Sequence, residues 1–531
     1  MRTLDAAGVC QLVGHLFSKQ QPMLSLWQTL ADNFYPERSD FRHTYARGQE
    51  LADFTVDSFP ILARRDLGNS FHAMLRDGQW FELTSGGDYK CDREGKAWLE
   101  WATHRQFRVM HDRAAMFDRS VKQGDHDYAT FGNTVISIEP NKKYNGILYR
   151  NWHIRDCAWE EGASGQVEVV ARKWNPTLRT LVDTFGEDKI PQQLKAKLEK
   201  SPFETVCVNH LVVPAEMSHN DKWVGRFKYV SYFVLDKSKE ILEEKGLNYK
   251  YYVVPRFQTV AGSAYAYSPA TVVALPDART LQAMTYTLLE AAERYARPPI
   301  VATQKVIQGV VNLRPNGITW VDNEYDERLG TAIRALPQDK GGYPIGSAER
   351  GRVYEILSKA FYLDSLTMPL DTGNEMTAYE VQERMKQYRR TNLPLFAPLE
   401  KEYNGQICEA TFDLLMMMGA FGSPNDIPGS LQGNEVEFKY KSPLTADEEE
   451  KKVQQFQQTS EAIATAAQLD AGAIDNIDFD EAVRDALHKG AGIPISWLRR
   501  MDDIEEIRGL RLQQQAMAQQ AMADGEAGAA A

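Results

Sequence analysis

Two proline gates bound a long helical stretch and constrain the chain more than any other feature. Pro269 and Pro276 predict that helix begins at Asp277, and Pro298-Pro299 forces the backbone into extended structure again. Nothing between them breaks the pattern, so one helix is predicted over 277–297, a rod of roughly 30 Å at about 1.5 Å per residue. Leu281, Met284, Leu288, Ala291 and Tyr295 fall along one side of it. A second helical pattern starts at Ser347, with Val353, Ile356, Leu357, Ala360 and Phe361 at helical spacing. Between the two lies a nearly neutral stretch, 298–346, rich in Pro, Gly and short β-branched runs, with turns at Arg314-Pro-Asn-Gly317 and Lys340-Gly-Gly-Tyr-Pro344. Helix, small module and returning helix make an out-and-back excursion from a main body.

The 531 residues exceed what one core can organise, and the length predicts three or four packed units. Residues 1–135 read mostly as helix. Leu26, Trp27 and Leu30 precede a stop at Tyr35-Pro36-Glu37-Arg38, and a second helix runs from Asp57 through Leu67 and Phe71 to Leu75 before Asp77-Gly78. Trp80-Phe81-Glu82-Leu83 alternates as a short strand, and Trp98, Trp101 and Phe107 predict a third helix whose aromatic stripe is expected in the core. From Phe131 onward the period changes. Strands are predicted at 134–139, 167–171, 205–213 and 229–235, with turns at Asn145-Gly146 and 162–165, and a helix over 179–198 interrupted at Pro191. Helices bracketing a β module give the class α+β.

After a linker at 366–376, Thr377 with Glu380 has capping-box spacing. The helix it opens carries Val381, Met385 and Tyr388, is bent at Pro394 and Pro398, and resumes with Leu399, Tyr403, Ile407, Ala410 and Leu414. The last third holds a strand at 436–444, an acidic helix start at 447–450, short helices at 480–488 and 496–507, and a Gln/Ala-rich tail that reads as polar helix or disorder.

Charge and chemistry exclude several classes. Lys plus Arg of 61 against Asp plus Glu of 73 gives a net charge of −12, against a protein that grips nucleic acid by bulk electrostatics. The scattered Cys10, Cys91, Cys157, Cys207 and Cys408 predict a reducing compartment with neither disulfide framework nor zinc site. Neither a signal peptide nor an 18-residue apolar run is visible, so a soluble, non-exported protein is expected. Lys340-Gly341-Gly342 lacks the spacing and hydroxyl residue of a phosphate loop, and Asp475, Asp478 and Asp480 lack the Gly and terminal Glu of a calcium loop. His153, Asp156 and Cys157 sit close in sequence, but a structural histidine is the better reading, and the pairs Glu160-Glu161 and Asp502-Asp503 are unspecific. No catalytic, cofactor or metal site is expected.

Ordered blocks along nearly the whole chain resemble the head-to-tail connecting (portal) proteins of podovirus-type tailed phages. In the first part these are Trp27, Pro36, Arg38 and Phe41, then Asp57, Ala63 and Leu67, and Trp80-Phe81-Glu-Leu83. Phe131-Gly-Asn-Thr134, His153-Ile-Arg-Asp156, 165–172 and Asp183-Thr-Phe-Gly186 follow, and Pro255-Arg256-Phe257 leads into the proline-gated helix. Beyond it come 376–381 with Arg384 and Glu402, Tyr440-Lys-Ser-Pro-Leu444, Ile477-Asp-Phe-Asp480, Gly492-Ile-Pro494, and Leu498-Arg with Arg508-Gly-Leu-Arg511. One departure is 261–267 ahead of Ser268-Pro269, where a tighter Tyr-Gly pairing is expected.

The resemblance implies a portal-like α+β architecture: helical wing 1–130, β-rich wing 131–265, first stem helix 266–297, clip 298–346 and second stem helix 347–365. It continues with tunnel loop 366–376, a long post-stem helix 377–430, a crown 431–507 and a tail or barrel helix 508–531. It further implies a twelvefold homo-oligomeric ring at one capsid vertex of the virion, assembled in the host cytoplasm, through which double-stranded DNA passes without sequence readout. Terminase, a tail adaptor, major capsid and scaffolding proteins and internal core or ejection proteins are the implied partners, with no membrane and no enzymatic activity. Lys340, Arg350, Arg352, Met368, Asp371 and Asn374 are the candidate residues facing the DNA channel. The rival readings are another phage structural protein, such as an adaptor or capsid component, and a soluble phage hydrolase.

Overall fold

The computed structural model describes residues 4–43, 48–49, 55–86, 91–143, 145–302, 320, 322, 328, 333–335, 342–366, 387, 399–423, 426–433, 435–441, 458–461, 463, 478–487, 493, 497–499 and 501–529. In chain order the named elements begin with α1 (Ala6–Phe34), α2 (Phe59–Leu75), β1 (Phe81–Ser85), α3 (Arg93–Met110) and α4 (Phe117–Phe131). Next come β2 (Val135–Pro140), β3 (Ile147–Trp152), β4 (Cys157–Glu161), β5 (Val167–Trp174), α5 (Leu178–Phe185), α6 (Gln192–Leu198), β6 (Val208–Pro214), β7 (Tyr229–Leu235), β8 (Ile241–Leu247) and β9 (Tyr252–Val253). The remainder are α7 (Leu275–Ala296), β10 (Ile300–Ala302), β11 (Ile333–Ala335), α8 (Gly342–Ala360), α9 (Leu363–Leu366), α10 (Gln406–Met417), β12 (Val436–Tyr440), α11 (Phe479–Asp485) and α12 (Met501–Ala529). Helices with small sheets make the chain α+β.

Two compact units emerge, one of Met1–Ala73 with His111–Leu414 and one of Met74–Met110 with Leu415–Ala531. In the first, an antiparallel sheet runs in the order β4-β5-β6-β7-β8. Alternation along β6 sends Leu211 and Val213 to one face, where Val9, Val13, Leu16 and Phe17 of α1 seal them into a core with Val230, Tyr232 and Val234 of β7. Asp5 caps α1 by accepting the Gly8 N–H at 2.7 Å. On the opposite face Val208 packs with Leu181 and Phe185 of α5. A three-stranded sheet, β3-β2-β9, accompanies it, and Tyr252 of β9 bonds His210 of β6 at 2.5 Å.

The turns expected at Asn145-Gly146 and 162–165 are found, the turn at 314–317 lies outside the described residues, and that at 340–344 is instead helical from Gly342. Asn141 accepts the Asn145 N–H at 3.0 Å inside the β2–β3 hairpin, and Gly165, at φ 74°, turns β4 into β5. Three helix boundaries differ from expectation. The helix expected over 179–198 breaks first at Gly186, whose φ of 86° no longer fits a right-handed helix. The first rod begins before Asp277, since a π-helical turn, Ala270–Ala274, runs straight into α7 and Pro276 occupies the first turn of that helix. A wider turn accommodates a proline that has no N–H to give and whose ring would crowd the carbonyl four residues back. The second rod likewise starts at Gly342 rather than Ser347, because Pro344 sits in a first turn that needs no intrahelical donor. Tyr362, at φ 59°, then separates α8 from α9.

In the second unit β1 pairs antiparallel with β12, Phe81 opposite Tyr440 and Ser85 opposite Val436. The aromatic stripe expected to be core in α3 is not its core. Leu99, Ala102, Thr103, Gln106 and Met110 are buried, while Trp101 is 47% exposed and, with Trp98, stacks around Phe421. The tail, left open between helix and disorder, is helical as α12.

Candidate functional site

The sequence neighbours that resembled reacting groups are engaged elsewhere. His153 accepts the Arg155 N–H on Nδ1 at 3.1 Å, which places its proton on Nε2, and Nε2 donates to Asp40 at 2.5 Å. That bond, with help from Arg155, holds the Asp40 carboxyl well below the usual range. Cys157 is fully buried, and burial pushes its thiol up to about 12, the opposite of an activated nucleophile. Asp156 pairs with Arg155, and Asp480 takes a bidentate pair from Arg508. Among the described residues no cluster of three or more His, Cys, Asp or Glu is arranged to hold a metal, and no helix is long and apolar enough to cross a membrane.

What the first unit builds instead is a rigid base for a pair of long helices. Asn133, fully buried, donates to the Ala266 carbonyl at 2.8 Å and accepts the Ala266 N–H at 3.0 Å, so one side chain imitates a strand partner for the segment entering the rod. Gly132, at φ 73°, lets that segment approach so closely that a Cβ would lie 2.5 Å from the Tyr267 carbonyl carbon. Ser268 adds a hydroxyl bond to Thr130 O at 2.6 Å, one residue before Pro269. Just upstream, the nearly buried Arg256 bridges Glu161 and Glu402, the latter at 3.0 Å, and donates to Gly165 O at 2.8 Å. The Phe131-Gly-Asn-Thr134 and Pro255-Arg256-Phe257 blocks therefore meet at the root of α7.

α7 and α8 lie against one another. Leu281 is fully buried, Met284, Leu288, Ala291 and Tyr295 are half-buried, and on α8 Val353, Leu357 and Phe361 are buried. A Cβ on Gly346 would come within 2.9 Å of Leu288 Cδ2, and Tyr295 meets Tyr343 edge-on at 6.0 Å. Asp57 pins both helices within their length, at Thr285 and Tyr354. Its Oδ2 accepts the Thr285 hydroxyl at 3.1 Å and the Tyr354 hydroxyl at 2.6 Å, and its Oδ1 accepts the Phe59 N–H of α2 at 3.0 Å. Gln282 completes the clamp by accepting the Val56 and Asp57 N–H groups and donating to Asp57 O at 2.7 Å. Burial and the bond to Asp57 push the Tyr354 hydroxyl up, so it remains a donor. The sequence marks Asp57 as a helix start; partners more than 200 residues away leave no local signal.

The six candidate channel residues divide unevenly. Arg352 is exposed on α8 and pairs with Glu349 three residues back at 3.1 Å. Arg350 is half-buried, its guanidinium 5.8 Å from the ring of Tyr354 one turn on in the same helix. Lys340, Met368, Asp371 and Asn374 lie outside the described residues, as do the loop 367–376 and most of 303–341.

The described residues thus build a base from which two paired helices project. The chain is 23% identical over 520 residues to the portal protein of Salmonella phage epsilon15, covering 95% of this chain and 90% of that one. Among solved structures it is similar to a chain of the neck of an empty gene transfer agent particle, with a TM-score of 0.36 at 10% identity, covering 75% of this chain and 85% of that chain. A chain of the native gene transfer agent virion gives 0.35 at 9% identity, covering 79% and 92%. Both structural likenesses are too distant to carry weight alone. Residues 7–498 match the bacteriophage head to tail connecting proteins, and the chain belongs to that family.

Proposed function

We propose that this chain is the portal of a tailed phage, a ring at one capsid vertex through which DNA enters during packaging and leaves during ejection. The observation that carries the reading is the family match over 7–498 together with a portal protein aligned to 95% of the chain. Twelve copies form the ring, α7 and α8 supply its stem wall, and 298–346 is the clip that meets terminase and later a tail adaptor. The loop 366–376 reaches toward DNA, with Lys340, Arg350, Arg352, Met368, Asp371 and Asn374 facing the channel. Major capsid, scaffolding and internal core or ejection proteins are its neighbours in the head, and assembly takes place in the host cytoplasm. The role is structural: a separate terminase ATPase drives translocation. A net charge of −12 supports passage of DNA without adhesion.

α12 has a place in the same proposal. Leu510, Leu512 and Met517 are more than half exposed on it. Copies gathered in a ring would cover such side chains as a helical barrel. The reading is tested in infected cells in which this chain is withheld. Heads without packaged DNA and without tails are expected, and full, tailed heads would overturn it.

A further inference from the structure

Two of the five cysteines come together on one face of the sheet in the first unit. Leu211 and Val213 of β6 face α1, and strand alternation carries Asn209 and Cys207, two and four residues before Leu211, to that same face. Cys207 stands just ahead of β6 but still follows its ladder with β7. Val208 pairs with Leu235, and at the next step outward the Asp236 N–H donates to the Cys207 carbonyl at 3.1 Å. The Asp236 carboxylate accepts the Asn209 amide at 2.7 Å, so it lies on this face as well. From the other side Cys10 of α1 packs against the same core, and the Asn209 Nδ2 donates to its Sγ at 3.8 Å. One thiol is therefore seated on Asn209 and the other stands one side-chain repeat away on the same strand face.

The charges around them describe the same neighbourhood. Asp236 acts on both thiols, and Cys10 itself acts on Cys207. So does Lys173 of β5, which pairs with Asn209 and holds its Nζ 4.3 Å from the Phe17 ring of α1. Burial, with Asp236 behind it, pushes both thiols up, so each persists in the protonated form. Cys91, Cys157 and Cys408 are buried, whereas Cys10 and Cys207 are only partly covered and open to a small reagent. Among the described residues no three His, Cys, Asp or Glu side chains are grouped to hold a metal, so Asp236 does not turn the two thiols into a metal site. A two-residue strand repeat is roughly 7 Å, and a disulfide joins Cα atoms up to about 7 Å apart. Asn209 stands at the gap between the thiols, and its Oδ1 is buried without a bond, so its side chain is held through Nδ2 alone and can give way.

We propose that Cys10 and Cys207 form a reversible dithiol site, closed to a disulfide by a low-molecular-weight disulfide such as oxidised glutathione, which ties the start of α1 to the entry of β6. One protein thiol, as its thiolate, attacks a sulfur of the glutathione disulfide and one glutathione leaves, taking up the proton. The second protein thiol attacks the mixed disulfide and expels the other glutathione in the same way. The two protein thiols are oxidised by two electrons in all, and one glutathione disulfide is reduced to two thiols. The site is open in a reducing compartment and closes outside it. Joining residues 10 and 207 closes a long loop, which removes freedom from the unfolded chain and stabilises the sheet with its covering helix.

The test takes the full purified chain, reduced and then incubated with oxidised glutathione. It is blocked with iodoacetamide in denaturant, digested, and read by mass spectrometry. A peptide pair joined through Cys10 and Cys207 is expected, released by dithiothreitol, with the undigested chain still running as a single copy on a non-reducing gel. Glutathione left on either cysteine with no joined pair overturns the proposal, as does a bond between copies or one that takes in Cys91, Cys157 or Cys408. In a second measurement the oxidised chain is expected to melt a few degrees above the reduced one, with the rise abolished in Cys10→Ser and in Cys207→Ser. No rise in the parent, or a rise that survives either substitution, counts against the bridge. Both measurements are read on single chains, so their outcome is separate from whether copies form a ring.

Discussion

Asn133 carries more of the architecture than its size implies. Its carboxamide satisfies both backbone groups of Ala266 in a site closed to water. Asn133→Ala leaves a buried donor and a buried acceptor without partners, and a loss of about 2–3 kcal/mol is expected in denaturant unfolding. A change below about 0.5 kcal/mol would mean the rod entry is held some other way. Glu400 is the other residue whose chemistry is unusual, being 7% exposed with Oε1 unbonded. Burial pushes its carboxyl up to about 7. With the folded value above the unfolded one, its contribution is fully present below about pH 4.5 and is lost as pH rises through 7. Glu400→Gln removes that loss. The variant is expected to gain on the order of 2 kcal/mol relative to the parent between pH 5 and pH 8, and parallel melting-temperature curves would contradict the assignment.

At the level of elements, hydrophobic period and turn chemistry were readable and prolines were over-read. The strands at 134–139 and 229–235 are found within a residue of expectation, and that at 167–171 runs three residues further, to Trp174. β3, β4, β8 and β9 are not among the expected strands: β8 reads Ile-Leu-Glu-Glu-Lys-Gly-Leu, whose adjacent charges hide a strand held by its neighbour β7. Pro276 and Pro344 look like stops, yet Pro344 lies in a first turn, where a missing N–H costs nothing, and Pro276 follows a π-helical turn that accommodates it. The stripe from Leu281 to Tyr295 was legible because packing on α8 obeys the helical period; the Asp57 clamp was not, because its members come from three distant segments. No sequence pattern links Trp80-Phe81 to the strand at 436–440 for the same reason. α12 offers a test at this scale. Truncation after Ile507 is expected to lower helical ellipticity of assembled rings, and to remove the Arg508–Asp480 pair with it. An unchanged spectrum would show that the tail is not helical in the assembly.

For the whole molecule, Cys157 is buried with its thiol pKa pushed up and His153 is tied to Asp40, whereas the polar side chains Asn133 and Asp57 hold the helix pair on its base. Channel-facing residues were the least legible part, since which side of a helix faces a channel is decided by neighbouring copies and not by one chain. Arg350 illustrates it: within one chain it meets Tyr354 of its own helix, a contact that does not depend on which side faces a channel. The central claim, that this chain acts as a ring, is tested most directly by negative-stain microscopy of the purified protein. Rings with a central hole and rotational symmetry, of a mass near twelve times 60.2 kDa, are expected. A population of compact single chains or dimers at the same concentration would contradict the account.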